Sequence, residues 1–172
     1  MMRSVTTMEE RAEAPAGRLD ELYRRHAPDA ARLAYLITGD RALAEDLVQD
    51  AFVRMFSRFR DLRNPDAFEA YLRRTVVNLA RSHFRHLKVE RAYAAQEGTR
   101  PAPSSPELGA REEMWQALMR LPERQRTAIV LRYYEDLSEA ETADAMRCPK
   151  GTVKSLVSRG IERLRQDVTR GE

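Results

Sequence analysis

The chain has 172 residues, 42% hydrophobic and 33% charged, with 30 Lys plus Arg against 27 Asp plus Glu. That length holds one ordinary domain or two small ones, and a net charge of only +3 leaves any nucleic-acid argument to the placement of charge. Cys148 is the only cysteine, which excludes an intrachain disulfide and a cysteine-cluster metal site. No secretory signal or membrane-spanning stretch is legible, so a cytoplasmic location with no membrane contact is expected.

Residues 1–17 mix charge with Ala, Pro and Gly without periodicity and read as a flexible N-terminal tail. A helical period starts at Arg18, through Leu19, Leu22, Tyr23 and His26 to Ala30, Leu33, Ala34 and Ile37. His26 is expected at a helix boundary. Gly39-Asp40 ends the run, with Asp40 able to cap the next helix.

That next helix, from about Arg41 to Phe59, carries Leu47, Val48, Ala51, Phe52, Met55 and Phe59 on one broad core-facing side. Asp46, Gln49, Asp50 and Val53 lie opposite. This acidic, mildly apolar face suits a positively charged partner helix or, more blandly, is a solvated face with Asp50 supporting Arg54 at i,i+4. Asn64-Pro65 opens the following helix, with Asn64 as N-cap and Pro65 at its first position. Phe68, Leu72, Thr75, Val76 and Leu79 form its buried side. Arg74, Asn78, Arg81, Arg85 and Lys88 share one narrow sector, with no acid between Glu69 and Glu90. A basic row with one amide among the cations is a track for a nucleic-acid backbone with one base-reading group.

Residues 89–109, with Pro101, Pro103 and Pro106 among Gly, Ser and Ala, read as a flexible Pro/Ser-rich linker. Beyond it, Met114, Trp115, Leu118, Met119 and Leu121 form an apolar face. Pro122 opens the helix containing Tyr133-Tyr134, an aromatic pair expected to serve packing. Ser138 with Glu141 spells a capping box for a short helix ending near Met146. Arg147-Cys148-Pro149-Lys150-Gly151 cannot easily continue that helix, and Thr152 can cap a second one. Two helices across a short turn read as a helix-turn-helix. On the second, Val153, Val157, Ile161 and Leu164 point inward, and Gly160 admits a close neighbour. Ser155, Ser158 and Arg159 point outward, with Lys154 and Arg163 on the flanks, where they can reach base edges and phosphates.

No sheet-like alternation occurs, so the expected fold is all-α. It comprises two small helical domains at about 18–88 and 110–168, joined by the 89–109 linker. No Gly-rich phosphate loop, metal-ligand spacing or nucleophile elbow is present. No cofactor, metal or enzymatic activity is expected.

Four stretches, RLAYLITGDRALAEDLVQDAFVRMF, AYLRRTVVNLARSHFRH, LPERQRTAIVLRYYEDLSEAETADAM and GTVKSLVSRGIERLR, in this order, resemble a sigma-70-family factor of the extracytoplasmic-function type, similar to the actinobacterial SigE-like group. The resemblance implies that 18–88 is sigma region 2, which binds the RNA polymerase core and opens the promoter at its minus-ten element. Residues 110–168 would be region 4, reading the minus-thirty-five element as duplex. Asp46, Gln49, Asp50 and Val53 become polymerase contacts on the clamp of the largest subunit, with region 4 meeting the flap of the second. Arg74, Asn78, Arg81, Arg85 and Lys88 become minus-ten contacts, and the loop near Phe59 to Asp66 matches the segment that holds a flipped base. Thr152, Lys154, Ser155, Ser158, Arg159 and Arg163 become minus-thirty-five contacts. Promoter DNA is the implied ligand, and an anti-sigma protein a further partner.

Two positions depart from the family pattern. Arg147 stands where a glycine is usual, costing roughly 1 kcal/mol if the backbone there is left-handed. Leu156 stands where an arginine often contacts phosphate. Two other classes compete with this reading: a stand-alone helix-turn-helix regulator, and a nucleic-acid enzyme using Asp46 and Asp50 as metal ligands.

Overall fold

The computed structural model describes residues 6–58, 65–94 and 110–170. Among them the chain forms seven α-helices and one π-helical turn, with no strand. The helices are α1 (Thr6–Thr38), α2 (Arg41–Arg58), α3 (Pro65–Ala94), α4 (Ala110–Arg120), α5 (Glu123–Ile129), α6 (Glu139–Met146) and α7 (Lys150–Arg170), and the π-helical turn is Val130–Tyr134.

Helices α1, α2 and α3 pack together into the first domain. Ala30, Leu33, Ala34 and Ile37 of α1 meet Leu47, Val48, Ala51, Phe52 and Met55 of α2 and Phe68, Leu72 and Val76 of α3, all buried. The α1–α2 junction is built as the residues dictate. Gly39 takes φ 75, and the Asp40 carboxylate accepts from the Leu43 amide at 3.0 Å. Helix α1 is longer than its periodicity suggests, starting at Thr6 inside the expected tail. His26 lies within it rather than at a boundary, its ring 5.1 Å from that of Phe68. Pro28 also sits inside the helix, where it costs about 3 kcal/mol. The apolar row continuing through Ala30, Leu33 and Ile37 holds the helix together across it. Helix α3 likewise runs six residues past the expected boundary at Lys88. Residues 95–109 of the expected linker, the Asn64 cap and the loop from Phe59 lie outside the described residues.

Helices α4 to α7 form the second domain. Thr142 is fully buried, as are Leu131 and Val153. Gly160 admits this close approach: a Cβ there would stand 2.5 Å from Ile129 Cδ1, so a larger residue requires the Ile129 side chain to move. The capping box is complete. Glu141 N donates to Ser138 Oγ at 3.2 Å, and Ser138 N donates to Glu141 Oε2 at 2.8 Å. Thr152 is not the cap of α7. The helix opens at Lys150, and the Pro149 carbonyl accepts from the amides of Thr152 and Val153. Proline lacks an amide to satisfy, so the start falls naturally beside it.

Two aromatic positions depart from expectation. Tyr133 and Tyr134 are 64% and 46% exposed rather than packed. The π-helical turn, whose Val130 carbonyl accepts from the Glu135 amide at 3.1 Å, adds a residue to the turn and carries the pair outward. Leu156 is buried at 7% exposure within the core, so that position presents nothing to a phosphate.

The two domains share one apolar cluster, which runs from Ile37, Leu72 and Val76 into Ala128, Leu131 and Met146. At its margins the Trp115 ring stacks on that of Tyr35 at 4.6 Å and 19°. Arg126 of α5 is buried and reaches across: its Nε donates to the Ile37 carbonyl at 2.7 Å, and Nη1 to the Met119 carbonyl at 2.9 Å. The guanidinium lies 5.6 Å from the Phe84 ring centroid. Burial lowers its pKa from the ordinary value, yet an arginine keeps its charge at any physiological pH, so a cation sits on the carbonyl end of α1 where the helix dipole favours it.

Candidate nucleic-acid interface

The cationic row on α3 does not stay together. Arg74 pairs with Asp144 of α6, its side chain is 34% exposed, and its Nε is buried without a partner. Asn78, half-buried, lies with exposed Arg81 and Arg85 along a cleft of about 610 Å³. Lys88 instead lines a separate cavity with Arg91, Met119, Glu123 and Arg126. Docking of the second domain on α3 therefore divides one helical sector into a held residue, an open cleft and a distal cation.

Two further arginines line the Asn78 cleft, Arg54 of α2 and Arg147 of the helix-turn-helix turn. Arg54 makes no ion pair among the described residues, so the expected support from Asp50 is missing. Arg147 has φ 49 and ψ 55, the left-handed region that costs a non-glycine residue roughly 1–2 kcal/mol. It ends α6 much as a C-terminal glycine would: its amide reaches the Ala143 and Asp144 carbonyls, and the Cys148 amide donates to Ala143 O at 3.0 Å. Only the tertiary arrangement brings Arg54 and Arg147 to this cleft, and neither falls in the α3 row.

On α7, Lys154, Ser155, Ser158, Arg159 and Arg163 are exposed along the outer side, and Thr152 is half-buried. Lys154 Nζ stands 3.6 Å from Glu139 Oε2, an exposed pair worth little and easily traded for a phosphate. Arg159 Nε donates to the Ser155 carbonyl at 3.1 Å, which steers its side chain along the helix. On α2, Asp46, Gln49, Asp50 and Val53 are all exposed, Val53 at 70%. Phe56, one turn on, is exposed at 56%, an apolar extension of that face that the periodicity did not single out. Among the described residues no group of His, Cys, Asp and Glu is arranged to hold a metal, and no helix is long and apolar enough to cross a membrane.

A further set of polar residues works between the domains rather than toward solvent. Arg73, next to Arg74, bridges Glu69 at 2.7 Å and Glu135 at 2.9 Å, with the Arg73 and Glu135 side chains 15% and 16% exposed. Sequence spacing reveals the Glu69 half of this bridge but not the half that crosses to Glu135.

Comparison with known proteins gives these faces a context. The Sigma-70 region 2 model matches residues 22–89 and the Sigma-70, region 4 model matches residues 111–164. The RNA polymerase sigma-E factor of Streptomyces coelicolor is 34% identical over 150 residues, 86% of this chain and 85% of that protein. The ECF RNA polymerase sigma factor SigE of Mycolicibacterium smegmatis is 36% identical over 156 residues, 85% of this chain and 60% of that one. In fold, the chain is similar to the sigma factor RpoE of Bartonella quintana, solved in complex with the anti-sigma factor NepR, with a TM-score of 0.62, 24% identity, and coverage of 87% and 96%. With both sigma-70 regions present in order and relatives above 30% identity along most of its length, the chain belongs to the sigma-70 family as a sigma factor of the extracytoplasmic-function type.

Proposed function

We propose that this sigma factor divides promoter recognition between its two domains and has no enzymatic activity of its own. As a member of its family it binds RNA polymerase and directs transcription initiation. Residues 18–88 serve as the region 2 unit. Asp46, Gln49, Asp50 and Val53 engage the clamp of the largest polymerase subunit, with Phe56 extending that contact. Arg74, Asn78, Arg81, Arg85 and Lys88 track the melted minus-ten strand. Residues 110–168 serve as the region 4 unit, which meets the flap of the second subunit and reads the minus-thirty-five duplex through Thr152, Lys154, Ser155, Ser158, Arg159 and Arg163. The factor acts in the cytoplasm beside polymerase, and an anti-sigma protein is proposed as its regulator.

The observation that carries this reading is the exposed acidic face of α2. It bears Asp46, Gln49 and Asp50 with Val53 and takes no part in the packing of α2 on α1 and α3. Charge complementarity with a basic partner helix gives such a face its purpose. A stand-alone regulator leaves it unused.

Pull-down of bacterial core polymerase, followed by run-off transcription from genomic fragments, tests the whole proposal. Asp46→Arg with Asp50→Arg removes core binding while leaving duplex binding. Arg81→Glu with Arg85→Glu removes promoter melting while leaving core binding. Retained core affinity in the first variant overturns the α2 assignment, and duplex binding without any core binding by the unmodified protein returns the stand-alone regulator.

A further inference from the structure

Among the described residues, clefts that lie where the domains meet differ in charge balance, as three of them show. In the first, Arg25 and Arg73 are offset by Asp29, Glu69 and Glu135. In the second, Lys88, Arg91 and Arg126 face Asp40 and Glu123. The third gathers Arg54, Arg81, Arg85 and Arg147 with no acid among its described lining residues. None of these four guanidinium groups makes an ion pair or a hydrogen bond among the described residues. Like charges converging in a shared cleft repel one another, and an anion that takes hydrogen bonds from several guanidinium groups reverses the sign of that interaction.

We infer that this cleft is a two-domain site for a compact chain of phosphate groups, as in a nucleoside polyphosphate or an inorganic polyphosphate. Arg147 is the residue that makes it two-domain. It comes from the helix-turn-helix turn while the other three come from α2 and α3. It occupies a left-handed backbone position that glycine fills without strain. Asn78 and Tyr71, also lining the cleft, supply an amide and an aromatic hydroxyl beside the cations. A volume of about 610 Å³ suits a small ligand. A nucleic-acid strand fits the docked state less well, because Arg74, the next cation along α3, is held by Asp144. Phosphates bridging Arg147 to Arg81 and Arg85 bind only the docked arrangement and stabilise it by mass action. The proposal extends the promoter-strand reading of the same α3 residues.

The test is isothermal titration of the full chain with inorganic tripolyphosphate, ATP and sulfate at low ionic strength. Tripolyphosphate is expected to bind one to one and well above sulfate. Arg147→Gly is expected to weaken it about tenfold through loss of one charge-assisted contact. That variant relieves backbone strain, so a folding defect does not obscure the result. ATP binding more tightly than tripolyphosphate identifies a nucleotide as the natural source, and the reverse order an inorganic chain. Equal tripolyphosphate affinity in the wild type and Arg147→Gly overturns the two-domain site, as does binding no stronger than sulfate. A loss confined to a single-stranded oligonucleotide overturns the choice of ligand. If Arg81→Glu with Arg85→Glu still melts promoters, the promoter-strand reading fails, while Arg147→Gly still decides this one.

Discussion

Arg74 on α3 is ion-paired to Asp144 on α6, so a residue in the cationic row of the first domain is held by the first helix of the helix-turn-helix. The pair is partly exposed, at 34% and 60%, and an ion pair of that kind contributes at most about 1 kcal/mol. It also leaves Arg74 Nε buried without a partner. The domains are thus held together in part by a charge that the proposed minus-ten contact would need.

Asp144→Asn should therefore cost under about 1 kcal/mol in stability and free Arg74 for a strand. Binding of a minus-ten single-stranded oligonucleotide should strengthen. The plot of log affinity against log salt should steepen by about 0.7, the increment for one added phosphate contact on a single strand. An unchanged slope means that Arg74 makes no contact with the strand.

Arg126→Met should be far more damaging, because it leaves the Ile37 and Met119 carbonyls without their charged donor. Hydrogen bonds to charged groups contribute about 1.5–3 kcal/mol each, so a loss of roughly 3 kcal/mol is expected in urea denaturation. Hydrogen exchange at the end of α1 should rise together with exchange in α5. A rise confined to α5 would show that Arg126 does not link the domains.

Gly39→Ala should destabilise by at least about 1–2 kcal/mol, since φ is 75 and the left-handed region penalises a Cβ. The added carbon would also stand 2.6 Å from Met119 Sδ. Combining it with Met119→Ala should recover the steric part and none of the backbone part. Thermal unfolding of the two single variants and the double variant measures the split.

Ser138→Ala should cost about 1 kcal/mol by removing the cap of α6. Glu141, hydrogen-bonded first by the Ser138 hydroxyl and then by its backbone amide, is held below its ordinary value. A carboxyl with a lowered folded-state pKa contributes stability that is complete above its unfolded value and is lost as pH falls through the folded value. The stability difference between the wild type and Glu141→Ala should thus be constant near neutrality and shrink in acid. A difference that grows in acid reverses the assignment.

Local chemistry was legible in the sequence. The Gly39-Asp40 junction, the Ser138/Glu141 box, the turn at Arg147, the apolar faces of α2 and α3 and the close approach at Gly160 each depend on residues within a few positions or on a helical period. The four motif stretches carried the family and the all-α fold for the same reason. Tertiary structure decided the rest. His26 remained inside α1 because packing on Phe68 and the row beyond Pro28 continued the helix. Leu156 went inward and Tyr133 outward because the second domain's core and a π-helical turn set those directions. The cationic row on α3 was readable as a row. Its division among Asp144, the Arg54–Arg147 cleft and the Lys88 cavity required one domain to dock on the other. Spacing within a helix determines which side chains share a face, whereas which partner meets that face depends on contacts between residues tens of positions apart, as between Arg73 and Glu135 or Arg126 and Ile37.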